Sequence, residues 1–316
     1  MGGHHHAHDG ANQGDHGRRT RTRMALSLII TLVFVVMEAA AGIMANSLAL
    51  LTDAAHNLTD VAALALSWYA LNLSDRPAHA GKTYGYHRAG ILAALVNSTT
   101  LGCLAVGICF EAWRRFEAPA PVDAGMLMGM GSAALVVNLV TAWLVSHGAD
   151  HDLNLRSAFL HLMGDVLSTL GAILAGIGIH FTGYGWLDPL ASVLIAVLIL
   201  WNAWLIIRET VEILLECTPR DIEMSVMVRD LMQSDGVRGV HDLHVWSLSR
   251  QLRFLSAHIL VDDISVSEAG RLRDRLAELM EQRYGIRHIT LQFETTPGCS
   301  DALYCNATRK PHSHPH

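Results

Sequence analysis

Between residues 24 and 207 the chain carries only 17 Asp, Glu, Lys or Arg side chains in 184 positions, and this scarcity constrains its fold more than any other feature. A hydrocarbon core about 30 Å thick takes roughly 20 apolar residues in a helix. Six such segments are legible, at about 24–45, 47–73, 89–113, 124–146, 155–182 and 186–207. The links between them are short, so they are expected to form one six-helix transmembrane bundle. Residues 208–316 differ in kind, with 29 charged side chains in 109 positions, as in ordinary globular protein. A wholly soluble enzyme, a disordered chain, a disulfide scaffold and a transmembrane β-barrel are all excluded by this pattern. A net charge of −6 gives no support for nucleic-acid binding.

Orientation follows from Lys and Arg near the span ends. With the N-terminus inside, the inner face holds Arg18, Arg19, Arg21, Arg23, Arg76, Lys82, Arg88 and Arg156, against Arg114 and Arg115 outside. Both termini are therefore expected to be cytoplasmic, in a multi-pass protein of the bacterial inner membrane. Four segments result: a His/Arg-rich tail at 1–23, the membrane domain at 24–207, a cytosolic domain at 208–296 and a Cys/His-containing tail at 297–316. In the cytosolic domain, 221–234 reads as a helix, 241–248 and 252–261 as strands about an Arg250-Gln251 turn, 265–284 as a helix ended by Gly285, and 288–295 as a strand. The order αββαβ predicts a small ferredoxin-like α+β domain. The polar, His-rich lead before the first span is unlike a cleavable signal.

Ionisable side chains at membrane depth carry the functional information. Each costs about 2.5–3.5 kcal/mol at the bilayer centre, so each needs a partner or a task. The second span holds Asp53, His56, Asn57 and Asp60 in LLTDAAHNLTD, and the fifth holds His161 and Asp165 in FLHLMGDVLST. In both, a His and an Asp stand four residues apart, on one helical face. On a soluble helix such a pair is usually a surface ion pair. Two pairs on separate spans facing each other offer two imidazole nitrogens and two carboxylate oxygens, a tetrahedral set suited to Zn2+ and tolerant of neighbouring divalent ions. No HExxH, GxxxxGK[ST] or GxSxG motif is present, so nothing points to an enzyme or an ATP-driven pump. A proton gradient is the expected energy source, with histidine as a suitable exchanger. Glu38 in the first span is a candidate proton relay or partner to the site, with an interhelical hydrogen bond as the alternative. Asp53 is a candidate ion or proton relay, with capping or packing as the alternative. Gly171, Ala175, Gly176 and Gly178 suggest close helix packing.

The stretches SLALLTDAAHNLTD, KTYGYHRAGILAALVN, HLMGDVLSTLGA and GVHDLHVWSL, in this order, resemble the cation diffusion facilitator family, specifically its zinc-exporting bacterial branch. The resemblance covers roughly residues 24–296. It implies a homodimer exchanging cytosolic Zn2+, and often Cd2+, for protons by alternating access, with the transported metal held by His56, Asp60, His161 and Asp165. No cofactor is implied; Zn2+ is the substrate and a regulatory ligand. In the cytosolic domain the resemblance places metal ligands at His241, His258 and Glu294. Gln292 stands where some relatives carry a ligand histidine. His244, read as lying on the same strand face as His241, is an additional candidate, although a lone strand histidine is more often structural. Cys299 and Cys305 resemble paired C-terminal cysteines of relatives, at wider than CxxC spacing. His79 and His87 lie in a loop where certain relatives hold an interfacial zinc, with solvated loop histidines as the plain alternative. Arg88 and Glu216 match a pair that forms an inter-subunit charge lock in a relative. The tails, with His4, His5, His6, His8 and His16 at one end and His312, His314 and His316 at the other, could gather cytosolic metal.

Two other functions compete. A membrane metal sensor needs no ligands at membrane depth, so the paired HxxxD motifs speak against it. A passive divalent-cation channel more often uses carboxylate rings than imidazole pairs, and its flux requires no proton gradient.

Overall fold

The computed structural model describes residues 31–149, 153–296 and 303–304, and of these 67, 71, 144–149 and 153–161 for their backbone only. Among the described residues six helices come first, the short α1 Thr31–Ala45 and the longer α2 Leu48–Ser74, α3 Ala89–Glu117, α4 Ala124–Ala149, α5 Leu153–Thr182 and α6 Leu187–Leu214. Among the described residues, four stretches are long and apolar enough to cross a membrane: Ala89–Glu117, Ala124–Trp143, Leu162–Thr182 and Leu187–Leu214. The chain is thus a multi-pass membrane protein. The expected first and second spans fall short of that measure for different reasons. The described part of α1 begins at Thr31, which leaves a short helix. The 27-residue α2 is long enough, but Asp53, His56, Asn57 and Asp60 lower its apolar content.

The described residues pack as two units, those from 31 to 68 with those between 96 and 206, and those from 69 to 95 with those from 207 onward. In the first, α4 and α5 approach closely because glycine permits it. A Cβ on Gly176 would meet Met128 at 2.9 Å and one on Gly131 would meet Ile173 at 2.9 Å; one on Gly178 would meet Leu187 of α6 at 2.6 Å, so α5 also lies close to α6. Gly171, expected to belong to the same contact, has nothing within 4 Å. Ala45, Ala49, Leu50, Leu127, Ala172 and Ala175 fill the buried seam beside them.

The start of α2 is held by a carboxylate from another helix. Asn46 turns the chain with φ 53°, and Asp188 at the start of α6 then accepts from the Leu48 amide at 2.6 Å, the Ala49 amide at 3.2 Å and the Ser47 hydroxyl at 2.5 Å. These are donors that a helix N-terminus leaves unsatisfied, and a negative charge there opposes the positive end of the helix dipole. Arg115 on α3 donates to the Asn46 carbonyl at 2.7 Å and stands 3.8 Å from Asp188.

The second unit contains the αββαβ domain: α7 Met224–Met232, β1 Gly239–Ser247, β2 Arg253–Leu260, α8 Val266–Tyr284 and β3 Ile286–Glu294. Strand order is β1-β2-β3, with β1–β2 antiparallel and β2–β3 parallel across the α8 connection. The sheet is therefore mixed, and one strand short of a four-stranded ferredoxin-like sheet. Met227, Leu231, Leu243, Leu255, Leu276 and Met280 bury its helix-covered face. The α8 limits are those its sequence signals: Ser265 and Glu268 form a reciprocal capping box, and Gly285 closes the helix at φ 66°. Tyr284 donates to the buried Asp230 carboxylate on α7. Burial and that neighbouring carboxylate push the phenol up to about 12. The α7 start is later than expected, because residues 219–222 make a turn in which the Ile222 amide donates to the Pro219 carbonyl.

Replacing Asp188 by Ala strands buried donors, each at a cost of about 1–3 kcal/mol. The variant is expected to melt several degrees below the parent in detergent, with Asp188→Asn in between. Thermal unfolding followed by intrinsic fluorescence measures this.

Candidate metal centres

In the membrane unit, α2 and α5 bring acidic and imidazole groups together far apart in sequence. His56 Nε2 lies 3.3 Å from Asp165 Oδ1 on α5 and 3.7 Å from Asp60 Oδ2 one turn further along α2. All three can offer one ligand atom within 4.8 Å of the others. The His56 and Asp165 side chains are about nine-tenths buried, at 11% and 9% exposed, so neither is a surface charge. His161 precedes Asp165 by one turn on α5, and its side chain lies outside the described residues.

A layer of polar contacts flanks this cluster. Asp53, 2% exposed, lies 3.3 Å from both the Ser168 and Thr169 hydroxyls of α5. The same hydroxyls reach the Asp165 carbonyl at 2.9 and 2.8 Å, and Asn138 on α4 donates to Thr169 at 3.2 Å. Asn57 donates to Glu38 Oε2 at 3.2 Å, tying α2 to α1. Of the alternatives for Glu38, the interhelical hydrogen bond is therefore present. Asp53 is engaged in packing α2 against α5 and does not cap a helix.

The second cluster lies on the face of the sheet opposite α7 and α8. His241 pairs with His258 across β1–β2, and their rings meet edge-on at 5.3 Å. His241 Nε2 stands 3.1 Å from Glu294 Oε2, and His258 Nδ1 stands 3.0 Å from Glu294 Oε1. These three also fall within 4.8 Å of one another. Gln292 donates to Glu294 Oε1 at 2.7 Å, so it orients the carboxylate where a histidine would add a ligand nitrogen.

His244 is three residues from His241, which in an uninterrupted strand would put the two on opposite faces. A bulge between them restores a common face, with His241 opposite His258 and His244 opposite Ser256. The bulge carries Asp242 at φ 49° and turns its carboxylate toward both histidines, 3.5 Å from His258 Nε2 and 3.1 Å from His244 Nε2. Asp242 was not foreseen. Its only signal was its place between two histidines in HDLH, and an irregularity of the strand makes it count.

Other expected ligands are spent elsewhere or lie outside what is described. His79 closes its own turn, accepting from the Gly81 amide at 3.2 Å and meeting the Tyr86 hydroxyl at 3.3 Å. Neither it nor His87 belongs to a group of three potential ligands among the described residues. Cys299, Cys305 and the histidines of both tails are outside those residues. Arg88 and Glu216 meet at 2.7 Å within the chain. Nearby, a cleft of about 1050 Å³ runs between loop 81–89 and the sheet, lined by Lys82, Tyr84, Arg88, His244 and Trp246. It holds neither three-ligand cluster.

Comparison with known proteins decides the family. Residues 24–215 match the cation efflux transmembrane domain, and residues 219–296 match the cation efflux protein cytoplasmic domain. The chain belongs to the cation efflux family. It is 38% identical over 307 residues to a cadmium, cobalt and zinc/H(+)-K(+) antiporter of Bacillus subtilis, covering 96% of each chain. It is 33% identical over 300 residues to the metal cation efflux system protein CzcD of Cupriavidus metallidurans, covering 95% of this chain and 92% of that one. With the zinc transporter ZitB of Escherichia coli the identity is 34% over 315 residues, covering 99% of each. Cation efflux proteins are transporters, so the chain is a transporter and not an enzyme.

Loss of one ligand from the sheet cluster should be separable from loss of its orienting neighbour. His258→Ala is expected to abolish zinc binding at this face. Asp242→Ala should weaken it roughly 10-fold, the scale of an outer partner. Calorimetric zinc titration of the purified full-length protein, in a His56→Ala background to silence the membrane cluster, distinguishes the two.

Proposed function

We propose that this chain exports Zn2+ from the cytoplasm in exchange for protons, by alternating access, as a homodimer in the bacterial inner membrane. Cd2+ and neighbouring divalent ions are secondary substrates. The observation that carries the reading is the closure of His56 on Asp165, 3.3 Å apart on different helices, with Asp60 beside them. Residues 24–207 supply six spans, residues 208–296 form the cytosolic domain, and the tails 1–23 and 297–316 lie in the cytoplasm. The first and second spans are α1, with the residues before it, and α2.

The metal is held by His56, Asp60, His161 and Asp165. Helices α2 and α5 run antiparallel in this topology, so the turn that joins His56 to Asp165 sets Asp60 opposite His161. Imidazole and carboxylate together suit Zn2+, whereas a set of carboxylates alone suits harder ions. An imidazole must be neutral to ligate, so metal arriving from the cytoplasm expels protons and protons arriving from outside help release it. The printed names of the relatives, antiporter and zinc transporter among them, agree with this cycle.

The cluster of His241, His258 and Glu294, with Asp242 and His244 beside it, binds zinc as a regulatory ligand that favours the working dimer. Arg88 and Glu216 brace loop 75–88 against the segment after α6. Reversal of Arg88 to Glu is expected to impair transport, and reversal of Glu216 to Arg in the same chain is expected to restore it.

Zinc uptake into proteoliposomes with an imposed pH gradient tests the main reading. Gradient-dependent flux is expected in the parent and should be lost in Asp60→Ala and His161→Ala. Flux indifferent to the gradient would mean a channel, and absence of zinc flux in sealed, protein-bearing vesicles would favour sensing or another metal.

A further inference from the structure

The cleft beside loop 81–89 holds neither three-ligand cluster, and its lining has a charge pattern of its own. Its volume is about 1050 Å³, and among the described residues Lys82 and Arg88 line it against a single carboxylate, Glu216. Arg88 donates to Glu216 through Nη2 at 2.7 Å. Its Nε is buried with no hydrogen-bond partner. Lys82 pairs with no carboxylate among the described residues, and its ammonium lies 5.2 Å from the centroid of the Tyr86 ring. Loop 81–89 therefore brings to the cleft one positive charge that nothing neutralises and one N–H donor that nothing accepts from.

An oxyanion answers both. Phosphate oxygens accept from ammonium and guanidinium donors alike, and such charge-assisted bonds are stronger than neutral ones. Lys82 and Arg88 have no lone pair to give a metal ion, so the chemistry differs from that of the two ligand clusters. Helix α3 begins here at Ala89 with no acidic residue in its first turn, which adds the positive end of a helix dipole. Across the cleft the lining is aromatic. Trp246 stacks on Phe254 at 5.5 Å, and Tyr84 meets the same Phe254 ring edge-on at 5.2 Å.

The place of the cleft in the chain indicates where the phosphate comes from. Ala89 and Leu92 line it from the first turn of α3, a helix long and apolar enough to cross the membrane, and Leu73 lines it from the end of α2. Tyr69, one turn before Leu73, is 60% exposed, and Leu92 is 50% exposed. Exposed aromatic residues at the end of a span sit at headgroup level. Basic pockets beside spans take anionic headgroups. We propose that this cleft binds a phosphate ester, the headgroup of an anionic lipid, with the phosphate between Lys82 and Arg88 and the glycerol end against Leu73 and Leu92. The site is additional to metal transport and independent of the proton-coupled reading.

The test titrates the full-length protein in maltoside micelles, by calorimetry, with dioctanoyl phosphatidylglycerol, dioctanoyl phosphatidylcholine and glycerol 3-phosphate. Saturable binding of the phosphatidylglycerol is expected, with the other two at least about 10-fold weaker. Lys82→Ala should weaken it roughly 5- to 10-fold, and Lys82→Arg should restore it to within about twofold. Arg273→Ala removes a positive charge from α8, outside the lining, and should change nothing. Tyr304→Ala, which opens the aromatic wall, should also weaken binding and covers the case in which one variant does not fold. Equal binding of the phosphatidylcholine would overturn the anionic class. Equal binding of glycerol 3-phosphate would overturn the lipid source and leave a soluble phosphate ester. Unchanged affinity in both Lys82→Ala and Tyr304→Ala, or an equal loss in Arg273→Ala, would overturn the site itself. No readout involves zinc or protons, so each of these failures is distinct from a failure of the transport reading.

Discussion

An ionised side chain has no cheap place in a medium that cannot solvate it, and the architecture of the membrane unit follows from that. Asp53, His56, Asp60 and Asp165 would each be costly alone at membrane depth. The antiparallel meeting of α2 and α5 lets them answer one another, through His56 with Asp165 and through Asp53 with Ser168 and Thr169. Packing serves the same end. The glycine-lined approach of α4 and α5 sets the position of α5, and Asp188 fixes the start of α2 by capping it from α6. The acidic groups thereby become tools, because a carboxylate whose charge must be compensated responds strongly to any ion that enters.

The cytosolic domain reaches a similar end by a different constraint. A regular strand alternates its faces, so a histidine pair three residues apart cannot serve one surface. The bulge at Asp242 breaks that alternation and gathers His241, Asp242 and His244 on the side away from the helices. Parallel pairing of β3 with β2 then brings Glu294 beside His258 and His241. The three groups are joined directly, His241 to Glu294 at 3.1 Å and His258 to Glu294 at 3.0 Å.

Elements governed by local rules were legible in the chain itself. Charge depletion pointed to membrane-crossing helices, the HxxxD spacing placed His56 and Asp60 a turn apart on α2, and Ser265, Glu268 and Gly285 marked the limits of α8. The αββαβ order was also readable, because alternation and amphipathic period are properties of neighbours. Asp188 was not, since nothing near it in sequence reveals that the amides it caps lie 140 residues away. Asp242 was not, since a bulge is chosen by strand register. Arg88 and Glu216, far apart in the chain, meet at 2.7 Å within one copy, a closeness that no local pattern reveals.

The sequence by itself determined which residues must be buried in lipid, which few ionisable groups must be compensated there, and in what order the cytosolic elements fold. Periodicity and transfer free energy suffice for each. Only the tertiary structure decided which groups compensate which: His56 with Asp165, Asp53 with the α5 hydroxyls, Glu38 with Asn57, Asp188 with the start of α2, and Glu294 with His241 and His258. These partnerships depend on distances of a few ångströms between segments far apart in the chain, and such distances are set by helix packing and strand register rather than by any local preference.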